Sequence, residues 1–310
     1  MYYLIYGLLY LFSLLPFFIL YHISDFVYAL MYYVFGYRKQ VVMSNLEIAF
    51  PGKTLRERKK IARKFYHNLA DTFLEIIKTI SISDRAFSKR CKGNFEIVNE
   101  LAEKGKSVQL HSGHQFNWEY GSLLMSKTIT ALPHYAVYIP IQNKVMSRLF
   151  LKIRQKYDAR FISATEFRSK KEELFKEKFS IILAADQNPG NPSNSYWQYY
   201  FKKPAPFITG PETGARKNNT AVVFVRSRKP SRGYYDCICS VFTDNAAQTD
   251  TGEITRGFRD FLEQVITEEP DNYLWTHRRW KWEYKNEFSG KWIDKKSVPP
   301  ESGEVMNGEW

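Results

Sequence analysis

The first 24 residues, MYYLIYGLLYLFSLLPFFILYHIS, contain no Asp, Glu, Lys or Arg. An uncharged apolar run of this length reaches the roughly 20 residues that cross a bilayer. Tyrosines at its start and beyond its end fit the aromatic belt of a membrane–water interface. The run lacks the basic start and small-residue cleavage site of a signal peptide, so it reads as an uncleaved anchor. A buried, Tyr-rich core helix kinked at Pro16 is the competing reading. Asp25 interrupts, and the following FVYALMYYVFGY is too short to span alone; it lies in the interface or packs against the first run. Arg38 and Lys39 come next, and the positive-inside rule keeps the rest of the chain cytoplasmic. The expected organisation is an anchoring or interfacial segment over 1–37, an α/β domain over 38–296 and a disordered tail over 297–310.

The whole chain of 310 residues has ample length for a buried core. Its 45 Lys and Arg against 32 Asp and Glu point to a polyanionic partner: nucleic acid, anionic lipid or an acidic protein. No nucleic-acid motif accompanies the charge, and the apolar start favours lipid. Cys91, Cys237 and Cys239 are too few and too odd for a disulfide framework, which fits a reducing compartment. Cys237 and Cys239 would share one face of a strand as core or surface thiols.

After the apolar start, residues 54 to 80 read as a helix, with Ile61, Phe65, Leu69, Phe73, Ile76 and Ile77 at helical spacing. Strands are expected at 107–110, 134–139, around ARFI, and at 179–185, 221–227 and 234–242. Helices are expected at about 143–157, 166–178 and 254–266. Strands alternating with helices give an α/β fold with a mostly parallel central sheet flanked by helices. There is no Walker loop, dinucleotide fingerprint or G-x-S-x-G elbow.

The segment LHSGHQFNWEYGS carries the most chemistry. A strand ends, Gly113 turns the chain, and His114 stands at the mouth of a sheet. With a helix starting near Phe116, the Glu119 carboxylate reaches back to His114. It would fix one imidazole tautomer and leave the other nitrogen to take a proton from a hydroxyl. A hydrogen-bonded structural histidine fits the same residues. His111 and His114 form HxxH, but Gly113 breaks the helix a metal-binding pair needs, so no metal is expected. Asp186 and Gln187 follow a strand end, where α/β sites form; they bind substrate or cap a helix.

GHQFNWE resembles the H-x-x-x-x-D/E motif of the lysophospholipid acyltransferase superfamily. More closely, it is similar to the GHxGNWE segment of the late lipid A biosynthesis acyltransferases, the lauroyl/myristoyl transferase family. The resemblance covers nearly the whole chain: RKQVVMSNLEIAFPGKT, VYIPIQNKVMSRLFLKIRQKYDARFI, ADQNPG, FITGPETGARKNNTAVVFV and YLWTHRRWKW follow in order. Phe116 departs from it, standing where the family has Gly. The resemblance implies a glycerolphosphate-acyltransferase-like fold at the inner membrane, with its catalytic domain on the cytoplasmic face. It implies transfer of an acyl chain from acyl carrier protein to the hydroxyl of a 3-hydroxyacyl chain on a lipid A precursor. The acyl carrier protein thioester serves as co-substrate, with no other cofactor. His114 is then the base, Glu119 its support and Arg154 the oxyanion donor. Asn117, Asp186, Gln187, Arg278 and Arg279 contact substrate. Transfer to another glycolipid or to a pigment-like hydroxyl uses the same residues and is the alternative. Arg56, Arg58, Lys59 and Lys60, the pair Lys202 and Lys203, and Arg278, Arg279 and Lys281 are candidate contacts for acidic partners. Trp275, Trp280 and Trp282 sit at the interface or fill core.

Overall fold

Short runs of Val, Ile and Leu form strands buried on both faces, and the amphipathic stretches between them form covering helices. The computed structural model describes residues 1–140, 142–157 and 160–300. Its central sheet has seven strands: β1 (Cys91–Gly93), β2 (Val108–Ser112), β3 (His134–Tyr138), β4 (Arg160–Ser163), β5 (Ser180–Ala184), β8 (Ala221–Ser231) and β9 (Tyr234–Thr243). Their order is β1-β9-β8-β2-β5-β3-β4. All neighbours run parallel except β8 and β9, which form an antiparallel hairpin. The expected α/β class, with a mostly parallel sheet flanked by helices, is the observed one. A separate antiparallel pair, β6 (Ser195–Tyr200) and β7 (Lys203–Ile208), was not expected from the sequence.

Thr54 and Glu57 form a capping box at the start of α4 (Leu55–Lys78), the long helix read from periodicity. α5 (Asp84–Arg90) and α6 (Glu96–Glu103) follow it. α7 (Trp118–Thr128), α8 (Lys144–Arg154) and α9 (Ala164–Leu174) make the crossovers among β2, β3, β4 and β5. α10 (Gly210–Asn218) precedes β8, and α11 (Glu253–Glu268) follows β9. Trp275 and Trp280 are both buried in the main core, which settles their role as packing. All three cysteines are free and buried.

The N-terminus differs from the expectation of one helix over Met1–Ser24. Pro16 has no N–H to donate, and the helix stops before it. α1 is Tyr2–Ser13; α2 is Phe17–Ala29 and continues as a π turn over Leu30–Val34. The second apolar run is therefore the continuation of α2. Phe17–Val34 is the one stretch among the described residues long and apolar enough to cross a membrane, a candidate anchor by length and composition. α3 (Lys39–Ala49) leads from it to α4. Of the tail expected to be disordered, residues 301–310 lie outside the described residues.

Candidate active site

β2 and β5 are parallel neighbours, with Ser112 opposite Ala184. Two residues beyond each strand end, His114 and Asp186 arrive side by side. The His114 Nδ1 lies 2.7 Å from Asp186 Oδ1, and the His114 backbone N–H donates to Asp186 Oδ2 at 2.9 Å. Gly113 leaves room for Leu262 beneath the turn: a Cβ there would meet Leu262 Cδ2 at 2.7 Å. Tyr273, in the C-terminal segment, is close enough to Asp186 to help hold its carboxyl pKa down. That segment is stitched to the histidine loop, with the Leu274 N–H donating to the His114 carbonyl at 3.0 Å.

The carboxylate decides the charge state of the ring. Burial opposes the imidazolium, but the charge and hydrogen bond of Asp186 outweigh it, and Glu119 adds a smaller push. The His114 pKa is therefore raised. Burial likewise opposes the Asp186 anion, and His114 overcomes it, holding Asp186 down at about 2. With Nδ1–H donated to Asp186, Nε2 carries the lone pair. The Gln187 amide nitrogen approaches this atom at 3.2 Å.

Glu119 does not hold His114, contrary to the sequence reading. Its carboxylate forks onto Arg154: Nε donates to Oε2 at 2.8 Å, and Nη2 donates to Oε1. A guanidinium matches both carboxylate oxygens at once, which an imidazole cannot do. Trp118 joins the two pairs. Its Nε1 donates to Glu119 Oε1 at 3.2 Å, and its ring meets the His114 ring edge-on at 5.9 Å. His114, Asp186, Gln187, Glu119 and Arg154 thus share one site at the C-terminal edge of the sheet.

Two residues expected to contact substrate are placed elsewhere. Asn117 is fully buried; its Oδ1 accepts from the Glu119 and Tyr120 N–H groups, and its Nδ2 donates to Glu75 at 3.0 Å. It caps α7, satisfying donors every helix start leaves over. Arg279 is 1% exposed, lies over the Tyr200 and Phe207 rings and donates to Asn188 Oδ1 at 3.2 Å. It props the Asp186 loop from beneath. Arg278 is exposed, and its carbonyl accepts from the Asn188 amide. Of the basic clusters, Arg56, Lys59, Lys60 and Lys202 are exposed, while Arg58 pairs with Glu47 at 2.8 Å.

Sequence reasoning missed the residues that clamp the site. Asn45 Nδ2 donates to the Trp275 and His277 carbonyls at 2.7 Å each, and Arg38 donates to the Thr276 carbonyl at 3.0 Å. His277 Nε2 accepts the Asn188 N–H at 3.1 Å. Burial holds the His277 pKa down at about 4, which keeps that nitrogen an acceptor. The two segments, Arg38–Asn45 and Trp275–Arg279, lie at opposite ends of the sequence, and only the fold brings them together.

The family described as bacterial lipid A biosynthesis acyltransferase matches residues 1–282. Among curated proteins, the chain is 23% identical over 282 residues to the lipid A biosynthesis lauroyltransferase of Escherichia coli K12, covering 89% of each chain. It is 22% identical over 250 residues to that organism's lipid A biosynthesis palmitoleoyltransferase and to a lipid A biosynthesis acyltransferase of Shigella flexneri, covering 79% of each chain. With a match running from the apolar start through the segment that closes over His114, the chain belongs to the bacterial lipid A biosynthesis acyltransferase family.

Proposed function

We propose that this protein moves a fatty acyl chain from an acyl carrier protein thioester to the hydroxyl of a 3-hydroxyacyl chain on a lipid A precursor. It does so at the cytoplasmic face of the inner membrane. The observation that carries the chemistry is the His114 ring, fixed at Nδ1 by Asp186 with Nε2 facing only the Gln187 amide among the described residues. The acceptor hydroxyl displaces the Gln187 amide and gives its proton to Nε2 as the oxygen attacks the thioester carbon. Arg154, held in orientation by Glu119, faces the developing oxyanion. Collapse breaks the carbon–sulfur bond, and the proton on His114 passes to the departing thiolate. Asp186 is a positioning residue for the base, and Glu119 is one for the guanidinium.

The family and relatives support the lipid A acceptor, and the basic excess fits both an acidic carrier protein and a phosphorylated glycolipid. The test is purified protein with a series of acyl carrier protein thioesters and a tetraacylated lipid A precursor, read by mass spectrometry. The expected product carries one added acyl chain. An unmodified precursor with every donor would refute the reading.

A further inference from the structure

α2 is bonded to the catalytic domain at successive turns of one edge. Tyr21 Oη donates to Glu75 Oε1 at 3.1 Å, and Ser24 Oγ donates to Asp71 Oδ1 at 2.8 Å. Asp25 Oδ1 accepts from Arg232 Nη2 at 2.6 Å and lies 2.8 Å from His67 Nε2. Arg232 also grips the fully buried Asp71 at 2.7 Å, and Lys229 reaches the same carboxylate at 2.9 Å. α2 is thus flanked by α4 and by the β8–β9 turn. If it crossed a bilayer, Asp71, His67 and Arg232 would be drawn into hydrocarbon with it, where charged groups are expensive.

The opposite edge has a different character. Phe18, Phe26 and Tyr33 on α2 and its π turn, and Leu4, Leu8 and Leu11 on α1, are all exposed, with His22 the one exposed polar side chain between Phe18 and Phe26. A spanning helix is apolar all round, whereas a helix lying in an interface is apolar on one side only. Length alone does not decide, since the 18 residues of Phe17–Val34 would also suffice to cross; the charged tether on one edge does. Cations rim the apolar face. Arg148 lies 4.3 Å from the Tyr2 ring centre and Lys39 lies 4.1 Å from that of Tyr32, while Lys78 donates to the Ser13 and Leu15 carbonyls at the α1–α2 break. Such a rim complements anionic headgroups.

We propose that α1 and α2 lie flat in a single leaflet of an anionic bilayer, and that neither crosses it. Met1 then stays on the same side of the membrane as the catalytic domain. The proposal rests on the membrane setting of the reading above and adds its geometry. α8, which carries Arg154, packs through Leu149 and Ile153 onto Tyr2, Tyr6 and Leu9 of α1. The catalytic guanidinium is therefore hung directly on the lipid-bound helix, and a lipid hydroxyl reaches it sideways from the same leaflet.

The test uses the full chain carrying one protease-cleavable tag on a long flexible linker before Met1 and another after Trp310. Membrane vesicles of one orientation are treated with protease. The expected result is that both tags are cut or both are protected together. One tag cut and the other protected would overturn the proposal. The His114→Ala chain should give the same pattern, so a failed activity assay and a failed topology are separable. The surface itself is tested with Leu8→Ser, Leu11→Ser, Phe18→Ser and Phe26→Ser combined, in flotation with phosphatidylethanolamine/phosphatidylglycerol vesicles. Recovery in the floated fraction should fall at least tenfold with the melting temperature kept. Unchanged flotation, or a dimer that the four serines dissociate, would overturn the leaflet as the occupant.

Discussion

The site contains two ion pairs built on different parts of the fold. His114 and Asp186 stand on adjacent strand ends of the rigid sheet, while Glu119 and Arg154 join two crossover helices, α7 and α8. In the first pair the imidazole keeps Nε2 outside the ion pair, and the carboxylate holds Nδ1 and the His114 backbone N–H. In the second, both carboxylate oxygens are occupied by one guanidinium. The contrast teaches that sequence proximity does not choose partners in a site: His114 and Glu119 are neighbours in the chain, yet each is bonded to a residue from a distant element.

Removing the base should have the largest effect. His114→Ala should lower kcat about 10²–10⁴-fold, measured with a carrier-protein donor and lipid A precursor; near-normal turnover of folded protein would leave the sheet-borne pair without a catalytic task. Asp186→Asn comes next, with a kcat loss of about 10²-fold expected from a misdirected tautomer. It also carries a pH signature. Asp186 raises the His114 pKa, so its loss should move the acid limb of kcat/KM to lower pH. If Glu119→Gln moved that limb as far, the division of labour between the carboxylates would be wrong.

Stability should separate the pairs further. The raised His114 pKa means that this pair adds most stability below about pH 6.5, and that the contribution is lost as pH rises through the raised value. Asp186→Asn should therefore lower the melting temperature more at pH 5.5 than at pH 8.5. Glu119→Gln should cost about 3 kcal/mol in denaturant unfolding, the low end for breaking a buried pair, because Arg154 keeps 21% of its side chain exposed. Glu119→Leu with Arg154→Met should regain part of that loss while staying inactive. The smallest effect is expected for Gln187→Ala. It only clears Nε2, so KM for the acceptor should change about threefold or less, roughly 0.7 kcal/mol, with the pH profile unmoved.

Much of this was legible from residues. The periodicity of Ile61, Phe65 and Leu69 marked α4, and the Val and Ile runs marked β5 and β8, because local pattern reports which face is buried. His114 was legible as the residue after a strand and a glycine. Asp186 was noticed, but its bond to His114 was not, since 72 residues separate them and only the adjacency of β2 and β5 brings them together. No local period encodes strand order. β7 carries Pro204 and Pro206, which cannot donate to a ladder, and the chain accommodates them in a separate two-stranded pair rather than in the central sheet. Two histidines three positions apart show the same limit. His111 packs against Phe224 and Phe258 with its pKa pushed down to about 3 by burial, while His114 is raised by its carboxylate.

The Asn45 and Arg38 clamps on the Trp275–His277 carbonyls have a consequence for synthesis. The loop bearing His114 is braced by a stretch that is synthesised after every strand of the sheet that carries it. Chains halted before that stretch could complete their strands while the His114 loop stayed unbraced, so the imidazole is positioned only after the sheet is made.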